Sequence, residues 1–363
     1  MRRVLIFSRD AKWFGGVVNF ITLLNKNLGN GFDPVPFIIG RRKGRTGLLL
    51  RPLVPLLDVI RLAHLLRHER FDACHVNPSF NYSSLLRDGL FLLVMRLAHA
   101  ENVIVSFHGW DESVERRITD SRVLQLLFRY VFGYAEHSLV LADAFRDWLV
   151  SVPGFNPDRV QLFTTMFDDA DFLQDQENTT YDDNRVLFLS RLVREKGIYE
   201  LIEAFRILLP DYPQLQLVIA GNGPEQGRLH TCIQQAGLAD RVEFTGYVRG
   251  IEKVRVLKQA GLFVFPTYYG EGCPVSLLEA MAAGLPVITT RAGGISHIVR
   301  DQENGLLLDE VTPESVAMAM RRLLDNRELR EAMRTRNTRE AWEKYSAPVV
   351  TRQFENLYAG VGK

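Results

Sequence analysis

Short apolar runs alternate with longer amphipathic stretches along almost the whole chain, and this alternation limits the folds open to it. Stretches such as 17–29 and 121–134 have the apolar spacing of helices. Between such stretches, the N-terminal half has strand-like runs at RVLIF (3–7), PVPFII (34–39), DACHV (72–76), NVIVSF (102–107) and HSLVL (137–141). Alternation of this kind forms βαβ units, so we predict an α/β protein with parallel sheets covered by helices on both faces.

The alternation stops around 163–183, where the chain is polar, acidic and without periodicity. Such a segment is typical of an interdomain linker. The pattern then restarts, with strand-like runs at RVLFLS (185–190), LQLVIA (215–220), RVEF (241–244), GLFVFP (261–266) and LPVITT (285–290). A chain of 363 residues is long enough to bury two hydrophobic cores.

We therefore predict two Rossmann-like domains, at 1–167 and 185–345, joined by a linker at 168–184. The last segment, 346–363, follows a helix break at Ser346–Pro348 and has the spacing of a further helix. We expect this helix to cross back onto the N-terminal domain. Ligands of such sheets bind beyond the carboxyl ends of the strands, so the turns after the strand-like runs are where a site is expected.

Charge and cysteine content exclude several classes of protein. The formal net charge is +1, whereas nucleic-acid binders usually have a large basic excess. The three cysteines, Cys74, Cys232 and Cys273, are far apart and form neither a zinc motif nor a disulfide framework. The first apolar run is too short for a signal peptide, and no run is long enough to span a membrane. We expect a cytoplasmic protein, at most peripheral to the inner face of a membrane.

Three turns have the composition of phosphate-binding loops. Gly15 and Gly16 precede an apolar helix, where bare backbone N–H groups and the helix dipole attract an anion. Arg191 and Lys196 flank the turn SRLVREKG, and two cations there could converge on phosphates. Asn222 lies in AGNGPEQGRL, which is either a site of close backbone approach or a tight turn.

Two glutamates lie eight positions apart in YYGEGCPVSLLEAMAAGLPVI, Glu271 in a glycine-rich loop and Glu279 on an apolar helix. Phosphate would repel Glu271, so it is better suited to accept hydrogen bonds from neutral hydroxyls. Glu279 costs free energy on an apolar helix unless a partner such as a cis-diol satisfies it, or unless it faces water. Backbone N–H groups for an anion are available nearby at Gly272, Cys273, Val275 and Ser276.

Taken together, SRLVREKG, AGNGPE, GEGCPVSLLEAMAAGLPVI and GGISHIVRDQENGLLL resemble the motifs of the large retaining glycosyltransferase family four, the glycosyl transferases group 1. The resemblance is strongest over 185–308 and covers most of the chain. It implies the GT-B fold, in which two Rossmann-like domains face each other across a cleft. It also implies a nucleotide-sugar donor on the C-terminal domain and an acceptor on the N-terminal one.

The resemblance assigns roles to the residues above. Glu271 would hold hydroxyls of the donor sugar, and Glu279 those of the ribose. Arg191 and Lys196 would neutralise the diphosphate leaving group as electrostatic catalysts. The backbone of Gly16, beside Gly15, would approach the same diphosphate. The nucleotide base would lie near TGYVRG (245–250), which contains Val248, and Asn222 would be a further donor-binding residue.

In the N-terminal domain, the resemblance places His108 near the reacting sugar; the alternative is a histidine that only caps its strand with a hydrogen bond. Asp111 and Glu112 follow and could contact an acceptor hydroxyl, or could simply be solvated. Retaining enzymes of this type are expected to react on one face of the sugar without a metal or other cofactor. The metal-like spacing Asp169-Ala-Asp171 falls in the predicted linker and is interpreted as loop.

The expected activity is therefore transfer from a UDP-sugar, or next a GDP-sugar, to a glycan or lipid-linked acceptor in polysaccharide or lipopolysaccharide biosynthesis. A non-catalytic partner that binds nucleotide-sugars in a glycan assembly complex is the alternative. A dehydrogenase would need G-x-G-x-x-G after the first strand, and WFGGVVNF lacks that spacing.

One basic segment suggests a membrane partner. Residues 41–70 have eight Arg or Lys against two acids, and Leu53, Leu56, Leu57 and Ile60 recur at helical spacing. A helix of this kind could lie on an anionic membrane surface. The alternative is a helix whose leucines pack in the core while its basic edge is solvated.

Overall fold

The computed structural model describes residues 1–10, 15–40, 54–175, 180–270 and 272–360. It divides into two compact units. Unit 1 comprises the described residues up to Met166 together with those from Ala347 onward, and unit 2 comprises those from Phe167 to Ser346. Among the described helices, none combines the length and the apolar character needed to cross a membrane.

Unit 1 is built on a parallel sheet of six strands in the order β2-β1-β3-β4-β5-β6. The strands are β1 (Arg2–Ser8), β2 (Phe32–Ile38), β3 (Ala73–Val76), β4 (Val103–Ser106), β5 (His137–Val140) and β6 (Val160–Leu162). The helices before its last strand are α1 (Gly16–Asn27), α2 (Val54–His68), α3 (Tyr82–Leu97), α4 (Glu112–Thr119), α5 (Arg122–Phe132) and α6 (Asp143–Ser151). Strands β3, β4 and β5 are buried at every position, as expected of a parallel sheet with both faces covered.

Helix α2, which covers the second half of the basic segment at 41–70, does not bury the leucines that the second expectation placed in the core. Residues 41–53 of that segment lie outside the described residues. In α2 the buried face is the i, i+4 row Val54, Asp58, Leu62 and Leu66, whereas Leu56, Leu57 and Ile60 are exposed. Asp58 is tolerated on the buried face because its carboxylate accepts hydrogen bonds from the Gly40 N–H and from Arg61, both at 2.7 Å. The expectation that these leucines pack in the core is therefore wrong.

Unit 2 is built on a second parallel sheet of six strands, in the order β12-β11-β10-β7-β8-β9. The strands are β7 (Arg185–Leu189), β8 (Gln216–Ala220), β9 (Val242–Gly246), β10 (Leu262–Phe265), β11 (Val287–Thr290) and β12 (Gly305–Leu308). The helices are α7 (Asp169–Gln174), α8 (Ile198–Leu208), α9 (Gln226–Gln235), α10 (Gly250–Gln259), α11 (Val275–Ala282), α12 (Ile295–Ile298), α13 (Pro313–Asp325) and α14 (Arg327–Lys344).

The predicted linker at 168–184 differs in the structure, because its described residues belong to unit 2 and begin with α7. Phe172 of α7 and the preceding Phe167 are buried and lie edge-on to Trp342, with ring centroids 6.1 and 5.6 Å from it. The pair Asp169 and Asp171 is thus in a helix, not in a loop. The many acids of this segment hid two aromatic anchors, and these anchors fix it to unit 2.

The final helix, α15 (Ala347–Tyr358), belongs to unit 1. Phe354 and Tyr358 are buried, and the Tyr358 hydroxyl lies 2.8 Å from Nδ1 of His75 on β3. The other ring nitrogen of His75 lies 2.7 Å from the Ser106 hydroxyl. Burial lowers the pKa of His75 to about 3, so this histidine is neutral in the folded protein near pH 7. The last helix is therefore joined to the centre of the first sheet.

Candidate active site

The turns that follow β7 and β8 in unit 2 are bonded to each other through their backbones. The Leu192 N–H donates to the Asn222 carbonyl at 3.0 Å, and the Leu192 carbonyl accepts from the Glu225 N–H at 3.2 Å. A Cβ atom on Gly223 would lie 2.1 Å from that same carbonyl. Only glycine allows this approach, so the motif AGNGPE is a site of close backbone contact that supports the turn SRLVREKG.

The two cations of that turn are both placed beyond the carboxyl end of β7. Arg191 is exposed, and no acidic side chain in the described part of the chain pairs with it. The ammonium of Lys196 lies over the rings of Tyr269 and Phe265, 4.6 and 5.4 Å from their centroids. The turn closes at Gly197, whose φ of 73° is left-handed and where a Cβ would lie 2.0 Å from the Pro266 carbonyl oxygen. The backbone thus holds Lys196 against the loop that follows β10.

Helix α11 begins just beyond that loop, with Pro274 as its N-cap residue. No side chain caps the helix, while Gly272, Val275 and Ser276 are partly exposed and Cys273 is buried. The start of α11 therefore presents backbone N–H groups without a side-chain acceptor among the described residues, which suits an anion. Glu271 lies outside the described residues, and its role stays a prediction.

Glu279 is buried in α11, with 5% of its surface exposed, so the expectation that it faces water is wrong. Its carboxylate accepts a hydrogen bond at 2.5 Å from the ammonium of Lys253 on α10. Burial raises the pKa of Glu279, and the Lys253 charge opposes that rise. Burial also disfavours the charged form of Lys253, but Glu279 outweighs it and raises the pKa of the lysine. A protein cation, which the sequence did not reveal, thus already partners this carboxylate.

The remaining predicted donor residues lie at the ends of β8 and β9. Asn222 is exposed, and the adjacent Gly221 N–H donates to the Gly246 carbonyl at 2.7 Å, which joins the two turns. Val248 is buried in the turn that leads from β9 into α10. These residues border the same carboxyl edge of the sheet as Arg191.

In unit 1, His108 lies just after β4 and is held by its neighbours. Its Nε2 is 2.8 Å from Oδ1 of the buried Asn77, and its ring lies between Phe20 and Phe163, at 4.9 and 5.3 Å. Burial lowers the pKa of His108 to about 3, so the ring is neutral near pH 7. Because the Asn77 amide nitrogen donates to the Phe7 carbonyl, its oxygen is left to accept from Nε2–H. The unprotonated Nδ1 of His108 can then accept a further hydrogen bond.

Asp111 caps α4, which the sequence analysis did not foresee. Its Oδ1 accepts hydrogen bonds from the Ser113 N–H at 2.9 Å and from the Ser113 hydroxyl at 2.6 Å. The hydroxyl contact lowers the pKa of Asp111, which is therefore ionised at neutral pH. Glu112 is exposed in the first turn. Gly15 and Gly16 are exposed at the start of α1, which no side chain caps.

The residues brought together thus fall into two groups, one in each unit. Over the described ranges, His, Cys, Asp and Glu side chains do not form any group of three suited to hold a metal ion. The cysteines are free, and Cys74 and Cys273 are buried. What distinguishes unit 2 is a pair of cations on a rigid turn beside an uncapped helix.

Residues 169–340, which run from α7 into α14, match the family model described as glycosyl transferases group 1. They form a group 1 domain. The resemblance inferred from the motifs is therefore confirmed as far as group 1, and the group 1 domain accounts for nearly all of unit 2. Arg191, Lys196 and Glu279 all lie inside it.

Relatives of known name agree with this domain. The chain is 33% identical over 177 residues to an uncharacterized glycosyltransferase of Methanocaldococcus jannaschii, in a match that covers 49% of the chain and 45% of that relative. It is 28% identical over 298 residues to the amylovoran biosynthesis glycosyltransferase of Erwinia amylovora, covering 79% of the chain and 68% of that protein. The chain thus spans less than half the length of the first relative.

Solved structures extend the likeness beyond the group 1 domain. The Anabaena protein HepE, crystallised in complex with UDP and glucose, superposes with a TM-score of 0.73 at 17% identity, over 99% of this chain and 100% of that one. At this identity the likeness shows the fold alone. The predicted α/β architecture of two Rossmann-like domains in the GT-B class is confirmed.

Proposed function

We propose that this protein is a retaining glycosyltransferase that moves a sugar from a nucleoside diphosphate sugar to a hydroxyl of a glycan or lipid-linked acceptor. One observation carries the proposal. The group 1 domain fixes Arg191 and Lys196 on a turn whose backbone is locked by Gly197 and Gly223, and Lys196 contacts the loop that leads into the uncapped α11. Positive charge and free N–H groups on a rigid frame suit a diphosphate.

The chemistry follows from the charge of the leaving group. When the bond between the anomeric carbon and the phosphate oxygen breaks, negative charge develops on the diphosphate. Arg191, Lys196 and the N–H groups of α11 stabilise that charge in the transition state. The acceptor oxygen bonds to the anomeric carbon on the same face, and its proton passes to the departing phosphate oxygen. Since two side-chain cations supply the positive charge, we propose that the reaction needs no metal or other cofactor.

Glu279 is proposed to bind the ribose of the donor. The Lys253 ammonium favours its carboxylate form, and a carboxylate accepts hydrogen bonds from two neighbouring hydroxyls. Glu271 remains the proposed partner of the sugar hydroxyls. Val248, in the turn after β9, is proposed to border the base, and Asn222, in the turn after β8, is proposed to bind the donor.

Unit 1 is proposed to supply the other contacts. A neutral His108 with Nδ1 free to accept can bind a sugar hydroxyl without placing a charge beside it. The backbone of Gly15 and Gly16 is proposed to contact the diphosphate. Asp111 and Glu112 remain proposed acceptor contacts, and the capping of α4 uses only one oxygen of Asp111.

The donor and the acceptor are proposed from the relatives. HepE was crystallised with UDP and glucose, which favours a UDP-sugar over a GDP-sugar. The Erwinia relative is named for amylovoran biosynthesis, which favours a role in making a cell-surface polysaccharide. A location in the cytoplasm, at the inner face of a membrane, stays a prediction.

The test combines binding with product analysis. We expect UDP to raise the melting temperature more than GDP, ADP or NAD, with the same shift in EDTA. Incubation with UDP-sugars and a glycan acceptor should then give a product whose anomeric configuration, measured by NMR, matches that of the donor. Binding without turnover would instead favour a non-catalytic nucleotide-sugar binding partner. A shift with NAD alone, inversion of the anomeric centre, or loss of turnover in EDTA would contradict the proposal.

A further inference from the structure

Two neighbouring helices of unit 1 present an apolar surface to solvent. We define the apolar face as Leu86, Leu90 and Leu97 of α3 with Val123, Leu126 and Leu127 of α5, all of them exposed. On α3 these residues follow i, i+4 and i+11, and on α5 they follow i, i+3 and i+4, so each set forms one stripe along its helix. The exposed fraction reaches 82% at Leu97 and 74% at both Leu86 and Val123.

The apolar face is continuous across the two helices. Leu86 and Leu90 of α3 and Leu127 of α5 line one groove of about 420 Å³. Helix α2 also packs against α3 and has the exposed Leu56, Leu57 and Ile60. Scattered single leucines on a surface need no explanation, but a contiguous set on adjacent helices marks a site of interaction.

The charged residues of α2, α3 and α5 that have no partner within their own helix are all basic. Helices α2, α3 and α5 contain two acids, Asp58 and Asp88, and both are buried and paired with an Arg of their own helix. Arg61 and Arg87 are the partners of these acids, and the charged residues that remain on the three helices are Arg67, Arg96, Arg122 and Arg129. The neighbouring α4 has two acids and two Arg and so does not change the balance. The face is apolar at its centre and basic around it.

This combination selects among the possible occupants. A second copy of the chain, paired through the same face about a two-fold axis, would bring the Arg side chains of one copy against those of the other. An anionic lipid surface offers negative headgroups for the Arg side chains and an acyl layer for the leucines. Tyr130 of α5, stacked under Arg96 at 4.1 Å, is of the residue type favoured at the membrane interface.

We propose that unit 1 docks on an anionic phospholipid bilayer through the apolar face, with α3 and α5 in the interface and their Arg side chains among the lipid phosphates. The inference rests on the proposed function only in that it would bring the enzyme to a lipid-linked acceptor. It differs from the membrane contact expected from 41–70, because α3 and α5 lie outside that segment.

The experiment is flotation of the full chain with lipid vesicles in the absence of donor and acceptor. We expect binding to mixed phosphatidylglycerol and phosphatidylcholine vesicles, weaker binding in high salt, and little binding to phosphatidylcholine alone. The double variant R122Q/R129Q should weaken binding by about fivefold for each Arg. The double variant L86Q/L126Q should weaken it by about tenfold or more.

Matched controls come from unit 2. Met318 on α13 and Arg228 on α9 are exposed, as are the residues altered on the apolar face. The variants M318Q and R228Q should bind vesicles like the unaltered chain. An environment-sensitive dye on a cysteine introduced as L126C should shift to the blue with anionic vesicles, and one on M318C should not. All six positions are exposed, so circular dichroism should show unchanged folding.

Three outcomes would overturn the proposal: no flotation of the unaltered chain with anionic vesicles, equal loss in M318Q and L86Q/L126Q, or a lipid-free dimer that L86Q/L126Q turns into a monomer. The last would show that a second copy covers the face. Because vesicle binding is measured without turnover, an inactive but vesicle-bound protein would sink the transferase assignment and leave this proposal standing.

Discussion

The two units share the same kind of sheet but use charge in opposite ways. In unit 2, buried charges are paired: Arg330 and Arg334 of α14 are buried and pair with Asp183, in the turn before β7, at 2.7 and 2.6 Å. The cation Arg191 is left exposed on its turn. In unit 1, the candidate residues His108 and Asp111 are held by neighbours, and the helices present leucine to solvent. Unit 2 thus displays charge where a diphosphate is expected, whereas unit 1 displays apolar surface.

This difference shows what a motif records. The motifs of unit 2 reflect requirements of the backbone. At Gly223, for example, the lack of a side chain lets the Leu192 carbonyl approach closely, and a requirement of this kind leaves a pattern in the sequence. The features of unit 1 are side-chain contacts and surfaces, which many residue combinations could build. The following predictions test whether the two units really divide the work in this way.

The largest effect is expected at the turn after β7. We expect Arg191→Ala to lower kcat by about 100-fold or more, because it removes positive charge from the leaving diphosphate. The melting temperature should stay unchanged, since Arg191 is exposed. The control is Arg194→Ala in the same turn, whose side chain lies over Tyr199 at 5.3 Å. If both variants lost activity equally, the turn would act through its overall charge, and the specific role proposed for Arg191 would be contradicted.

The next effect concerns how tightly each unit packs around its glycines. Gly223→Ala in unit 2 should lower the free energy of unfolding by about 2–4 kcal/mol, because the new Cβ meets a backbone oxygen that cannot move. Gly89→Ala on α3 of unit 1 meets side chains and no backbone, Val131 at 3.3 Å and Phe132 at 3.6 Å, and should cost less. Urea unfolding measures both. Gly227→Ala, which meets nothing within 4 Å, is the neutral control, and a cost there equal to that of Gly223→Ala would contradict the close-approach argument.

A third test uses His75 and His108 of unit 1, whose pKa values are both lowered. Because the folded pKa of His75 is lowered to about 3 from an ordinary 6.5, the unfolded chain binds one more proton between these values. The free energy of unfolding should therefore fall as the pH drops from 6.5 towards 3, by about 1.4 kcal/mol per pH unit for this group. His75→Gln should flatten the slope measured by urea unfolding at several pH values. His108 contributes in the same direction, so part of the slope should remain.

An unchanged slope in His75→Gln would mean that His75 is charged in the folded state, and that α15 is joined to β3 by something other than a neutral hydrogen-bonded pair. The slope is the quantity to compare, because the substitution also changes two buried hydrogen bonds and so shifts the stability at every pH.

The smallest effect separates two roles of Asp111. Asp111→Ala should lower the free energy of unfolding by about 1 kcal/mol, because α4 loses its cap, whereas Asp111→Asn should keep the cap and the stability. Both should lower kcat/KM for the acceptor if the second oxygen binds a hydroxyl as proposed. Full activity in Asp111→Asn would leave this residue with the capping role alone.

Much of the architecture could be predicted because a parallel sheet needs buried strands between amphipathic helices. The run GLFVFP at 261–266, for example, contains β10. Strands β6 and β12 were not among the predicted strand-like runs; both lie at sheet edges, where one side is unpaired, and they have three and four residues. The linker was also misplaced, since the polar residues around α7 outnumber Phe167 and Phe172, the two residues that decide its packing.

The site was less predictable wherever two side chains meet from different elements. Lys253 and Glu279 lie on separate helices, and no local pattern pairs them. Asn77 left a better signal, because it directly follows the run DACHV and so lies at the same sheet edge as His108. In α2 the sequence pattern was misleading. Its leucines do recur at helical spacing, but the row of residues that is buried is a different one, which contains Asp58.

The attachment of α15 to unit 1 bears on how the chain is made. Unit 2 is continuous in sequence, from Phe167 to Ser346, so all of it has been synthesised before the last helix appears. Unit 1 lacks Phe354 and Tyr358 until then, and the ring of His75 has no Tyr358 hydroxyl to bond. During translation the half of the chain that is made first is therefore the last to be completed, because α15 is synthesised after the whole of unit 2.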